Sequence, residues 1–151
     1  MTDDEILQIE SEFAVRLPTG YRQLLKSPPT LLVALMDVLA DEHSPYQVPI
    51  YIHADVIIEQ NREVRDPESG FVAGPEEDDA WDDDLLIIDG DIGGNFYCVR
   101  KESGSSCVYE WEHSGCCDLE VYGESIPQYV ERWFTELGEL AAMDCCEDGT
   151  A

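Results

Sequence analysis

Leu85-Leu86-Ile87-Ile88-Asp89-Gly90-Asp91-Ile92-Gly93-Gly94-Asn95-Phe96-Tyr97-Cys98-Val99-Arg100 is the stretch that decides the fold of this chain. The apolar run 85–88 reads as a buried strand. Asp89 to Gly94 is turn chemistry, with glycines that allow positive φ. From Asn95 to Arg100 apolar and polar residues alternate, as they do again from Cys107 to Glu112. Glu102-Ser103-Gly104-Ser105 lies between these runs, so the pair predicts a β-hairpin.

Upstream the periodicity changes to that of helices. Thr2 followed by Glu5 is a capping-box signature, and Ile6, Ile9 and Phe13 recur at helical spacing, which predicts a helix over about 3–14. Leu17-Pro18 breaks it. Tyr21 to Leu25 predicts a second, short helix ending before Pro28-Pro29. The segment from Leu31 to Leu39 is apolar on nearly every side and reads as a buried helix capped by Thr30, with a strand as the competing reading. Pro49-Ile50-Tyr51-Ile52-His53 reads as a strand. Asp55 to Arg65 reads as a helix with Val56, Ile57 and Val64 as core contacts, and Asp66-Pro67-Glu68-Ser69-Gly70 as a turn.

Downstream, Ser125 to Leu140 predicts a closing helix capped by Ser125, with Pro127 in its first turn and an apolar stripe of Val130, Trp133, Phe134 and Leu137. Residues past Met143 read as frayed. The expectation is an α+β domain over residues 1–140 followed by an acidic tail over 141–151. N-terminal helices, a central antiparallel sheet and a C-terminal helix would pack around one core.

The 151 residues include 34 acidic and 8 basic side chains, for a formal charge of −26. Such a surface repels phosphate, which argues against direct nucleic-acid binding, and against anionic membranes. Basic proteins and cations remain as partners. Nine of the acids fall between Glu76 and Asp91, where no Lys or Arg occurs. Met1-Thr2-Asp3-Asp4-Glu5 is acidic where a signal peptide needs basic residues, and the longest apolar run, Leu31 to Met36, is far too short to span a bilayer. A cytoplasmic protein is expected. The six cysteines then read as thiols.

Each familiar chemistry fails on spacing. An EF-hand starting at Asp89 has Asp91 in place, but Gly93 stands at the third ligand position and Arg100 at the twelfth. Asp78, Asp79, Asp82, Asp83 and Asp84 suit loose cation association or, more simply, a solvated acidic loop or protein-binding surface. For zinc, Cys116-Cys117 and Cys145-Cys146 are vicinal, where paired ligands need intervening residues; only a His113/Cys116/Cys145/Cys146 set is conceivable. Cys98 and Cys107 face each other across the predicted hairpin as thiols. His43, His53 and His113 sit in no nucleophile signature, and no phosphate loop follows the glycines. No catalytic, cofactor or metal residues are assigned. Phe96, Tyr97, Tyr109 and Trp111 read as sheet packing. Trp81, flanked by aspartates, either anchors its loop on the domain or projects as an interface anchor.

Four segments together resemble the SMI1/KNR4 family of the SUKH superfamily. These are 9–13 with Leu17-Pro18-Thr19-Gly20-Tyr21-Arg22-Gln23-Leu24-Leu25, then 87–99, then Val108 to His113, and Ser125 to Val130. The apolar segment 28–42 and Ile92 within the glycine cluster depart from the family pattern. The resemblance implies a non-enzymatic α+β domain. Bacterial members look like immunity proteins that neutralise toxins, nucleases among them, whereas fungal relatives regulate cell-wall synthesis. The expected partner is therefore a basic protein toxin, for which a nuclease with its positive cleft is well suited. The expected contact residues are Asp78, Asp79, Trp81, Asp82, Asp83, Asp84, Asp89 and Asp91. The alternative is a cation-binding or regulatory, scaffold-type domain whose acidity reflects a high-salt environment, consistent with only two lysines, Lys26 and Lys101.

Overall fold

A computed structural model describes residues 1–39, 50–69, 71, 81–91, 93–101, 106–112 and 119–147, without the side chains of 36–39 and 137–147. Four helices precede the sheet: α1 (Asp3–Glu12), α2 (Thr19–Lys26), α3 (Thr30–Leu39) and α4 (Ala54–Glu63). Then come β1 (Leu85–Gly90), β2 (Phe96–Arg100), β3 (Val108–Trp111) and β4 (Leu119–Gly123), followed by α5 (Ile126–Glu147). The class is α+β. The four strands form one antiparallel sheet in the order β1-β2-β3-β4.

Local chemistry explains the helix ends. The Thr2 side chain accepts from the Glu5 backbone while Glu5 accepts from the Thr2 backbone, so two orphan N–H groups of α1 are satisfied reciprocally. α1 stops at Ala14, whose φ of 50° lies in the left-handed region. At α5, the Ser125 hydroxyl accepts from the Gln128 N–H at 3.3 Å, the predicted cap.

The strands alternate between two apolar layers. Leu86, Ile88, Val99 and Val108 face Ile6, Ile9, Tyr21, Leu25, Ile57, Ile126 and Tyr129 in the larger core. Leu85, Ile87, Cys98 and Trp111 face the other way, toward Val64 and Trp81. Every residue of β1 is buried, because both of its faces are covered.

Several predicted elements change. Of the strand predicted over 49–53, residues 50–53 are described and form no strand: Ile50 and Ile52 are buried, and Tyr51 donates one backbone bond of 2.7 Å to Ile88. The adjoining acceptors and donors of β1, on Leu85 and Ile87, are already taken by the side chains of Arg65 and Asn61. β4 was not predicted. α3 is a helix as expected but not a buried one, since Leu31 is 61% exposed and Leu32 fully buried. Thr30 is its first helical residue instead of a flanking cap. In α4, Ile57 is a core residue, as is Val64 at its C-cap, but Val56 is exposed and Ile58 takes its place. α5 runs on to Glu147, through the stretch expected to fray.

Candidate functional site

The predicted contact residues split into two groups according to how β1 begins and ends. At its start, Trp81 is buried at 6% exposure, so it anchors its loop on the domain and presents nothing to a partner. Its ring meets Phe71, Phe96 and Trp111 edge-on, with centroids 5.6–5.9 Å away. Phe96 and Trp111, opposite each other on β2 and β3, stack at 5.5 Å. The Trp81 indole N–H also donates to the Leu85 carbonyl at 3.4 Å.

This anchor fixes a turn that displays three carboxylates. Asp82, Asp83 and Asp84 are all exposed. Asp82 accepts from the Asp84 N–H at 2.9 Å, its carbonyl accepts from Leu85 N–H at 3.0 Å, and the Asp84 carbonyl accepts from Lys101 N–H at 2.8 Å. The Asp83 side chain is 85% exposed and its carboxylate lies 3.4 Å from Arg65 Nε. The result is an acidic knuckle on a stiff base. Asp78 and Asp79 lie outside the described residues.

At the far end of β1 the predicted residues are internal. The β1–β2 register shifts between Ile87 and Asp89, leaving Ile88 as an extra residue. This bulge turns Asp89 to the same side as Ile88, under α5, when simple alternation would have placed it opposite. Asp89 is 4% exposed and accepts a short hydrogen bond from the Tyr129 hydroxyl, a second from Gly90 N–H at 2.7 Å and another from the Ile50 backbone. It is therefore not a surface contact. Asp91, half-buried, closes the β1–β2 turn by accepting from Gly93 N–H, Asn95 N–H and the Asn95 side chain at 2.7–3.0 Å. Gly94, with φ of 86°, makes the reversal that the glycine cluster predicted.

Burial pushes the Asp89 carboxyl up to about 7, against the pull of its hydrogen bonds from Tyr129, Gly90 and Ile50, with Asp91 adding to the rise. Because the folded value exceeds the unfolded one, the stability contributed by Asp89 is full below the ordinary carboxylate range and is lost as pH rises through about 7. Acidification from about pH 8 to about pH 4 is therefore stabilising at this group. Denaturant unfolding across that range is expected to show Asp89→Asn gaining much less on acidification than the native chain. Parallel curves would remove the assignment, since the background of surface carboxylates is common to both.

Two residues that the sequence reading passed over hold the edge of the sheet. Asn61 is fully buried on α4; its amide donates to Ile87 C=O at 2.8 Å and its oxygen accepts from Ile87 N–H at 2.9 Å, as a neighbouring strand would. Arg65 donates to Leu85 C=O at 2.5 Å and to the Asn61 side chain at 3.1 Å. With Tyr51 on Ile88, these groups occupy the outer edge of β1. A signal existed: Asn61 is a polar residue on the i, i+3, i+4 stripe of Ile57, Ile58 and Val64.

Among the described residues no group of three or more His, Cys, Asp or Glu is placed to hold a metal ion. The conceivable zinc set lies outside the described side chains. Cys98 stands opposite Tyr109, not Cys107. No helix among the described residues is long and apolar enough to cross a membrane.

The described residues thus form an α+β domain with a meander sheet, an exposed acidic turn and an internal carboxylate. Residues 1–132 match the SMI1/KNR4 family (SUKH-1), and the chain belongs to that family. It matches no curated protein and no solved structure significantly.

Proposed function

We propose that this chain is a non-enzymatic protein-binding domain of the immunity type, which captures a basic protein toxin in the cytoplasm and neutralises it stoichiometrically. The observation that carries the reading is the exposed Asp82-Asp83-Asp84 run held on a buried aromatic base. A preordered patch loses little conformational freedom on binding, and its charge steers a positive partner into fast encounter. A nuclease is well matched, because the cleft that holds phosphates must be positive and carboxylates can occupy it in their place. Asp78 and Asp79 extend the same acidic stretch in sequence. Asp91 supports the turn more than the contact, since its oxygens already accept three bonds.

The test is co-expression with the product of the neighbouring gene, scored by cell survival. Converting Asp82, Asp83 and Asp84 together to Asn is expected to abolish protection and to slow association about tenfold or more at low salt, with unchanged thermal unfolding. Undiminished protection by the triple variant would discard this turn as the interface.

A further inference from the structure

On the opposite side of the sheet from Trp81, an open groove of about 700 Å³ lies between α2 and α5. Its floor is apolar: Leu24 and Ile126 are buried, and Val130 and Phe134 are half-buried against the core. Its rims are polar and exposed, with Gln23 and Ser27 on one side and Glu131 and Thr135 on the other.

The charge on those rims is unbalanced. Among the described residues Glu131 is the sole charged one lining the groove, and no Lys or Arg lines it. The adjacent Arg132 is committed elsewhere: it sits 3.8 Å over the Tyr122 ring, donates to the Tyr122 carbonyl at 3.1 Å and pairs with Glu136 at 3.0 Å. Glu131 therefore has no ion-pair partner among the described residues. It stands three positions from Phe134 on the same helix, so a carboxylate and an apolar seat lie about 5–6 Å apart at the backbone-proximal level.

We propose that this groove is a second docking site, which receives an amphipathic helix from a partner protein bearing a large apolar side chain and a Lys or Arg one turn apart. The apolar side chain seats on Leu24, Val130 and Phe134, and the cation pairs with Glu131. A second copy of this chain is a poor occupant, because it would bring another −26 of like charge and a second unpaired Glu131. A neutral small molecule would leave Glu131 unused. The site does not depend on the acidic turn.

The probe is a fluorescently labelled Leu/Lys amphipathic helical peptide, titrated against the full chain at physiological salt and compared with a scrambled peptide of the same composition. Saturable 1:1 binding is expected, preferring the ordered pattern, weakened about tenfold or more by Glu131→Lys or by Thr135→Lys and little changed by the Asp82/Asp83/Asp84→Asn triple. Phe134→Ala tests the floor; if that variant unfolds, the exposed rim variants decide. Equal binding of the scrambled peptide, indifference to both rim lysines, or loss in the triple variant would overturn the site. So would a dimer in sedimentation that Glu131→Lys dissociates, or saturable uptake of a neutral apolar dye that excludes the peptide. Lost toxin protection in the triple variant with intact peptide binding would separate this site from the acidic turn.

Discussion

Trp81→Ala is expected to lower the unfolding free energy by about 3–5 kcal/mol in urea denaturation, the range for truncating a buried tryptophan. The indole fills the centre of the smaller core, touching Phe71, Phe96 and Trp111. Removing it strips three aromatic contacts at once and leaves a cavity that two sheet-borne rings, themselves stacked, are poorly able to close. The Leu85 carbonyl also loses a donor, although Arg65 still reaches it. Trp81→Phe keeps most of the ring packing and is expected to cost about 1–2 kcal/mol. The consequence reaches the surface: with its anchor gone, the Asp82–Asp84 turn becomes a looser ensemble, so capture of the proposed partner should weaken although no carboxylate has been altered. A loss below about 1 kcal/mol for the alanine variant would mean the turn is held by something other than Trp81.

Asn61→Leu is expected to destabilise by roughly 2–5 kcal/mol despite its similar volume. The leucine leaves the Ile87 N–H and C=O buried beside a hydrocarbon, and each unsatisfied group costs about 1–3 kcal/mol. It also removes one of the acceptors for Arg65. Asn61→Asp should be at least as damaging, because a carboxylate acceptor would face the Ile87 carbonyl, which needs a donor. Amide hydrogen exchange localises the effect: protection at Ile87 should fall in both variants, while β3 amides change only with global stability. An exposed β1 edge is also a template for intermolecular pairing, so the variants should aggregate more readily on heating. Exchange at Ile87 that stayed as slow as in the native chain would show that Asn61 is not the cap of that edge.

Much of this architecture was readable in the residues. The capping box at Thr2 and Glu5, the Ser125 cap, and the apolar residues Ile6, Ile9 and Phe13 act within a turn of helix, so short-range rules suffice for them. The same holds for the β2–β3 pairing, where alternation survives intact. β4 was missed because its alternation is weak: Val121 is 58% exposed and Leu119 only half-buried, so neither face reads as a core. Residues 50–52 were misread for the opposite reason. Their composition suits a strand, but Asn61, Arg65 and Asp89 had already claimed the groups on β1 that a neighbouring strand would pair with.

The exposure of the predicted contact residues was legible only in part. Charge density picked out Asp82, Asp83 and Asp84 correctly as exposed, since three consecutive carboxylates are too costly to bury. It could not separate them from Asp89, an aspartate like the others, nor tell which way Trp81 points. Those two choices depend on distant partners: Tyr129, 40 residues on, and the Phe71, Phe96 and Trp111 rings.

By itself the sequence determined the helices, the β2–β3 hairpin, the α+β class and the family, because each rests on patterns a few residues long. Only the tertiary structure decided the location of the aspartates and Trp81. One bulged residue, Ile88, reverses the side on which Asp89 falls, and a slip of that kind leaves no mark in local composition. The −26 charge is thus divided: an exposed acidic turn available to a partner, and one carboxylate taken inside to tie β1 to α5.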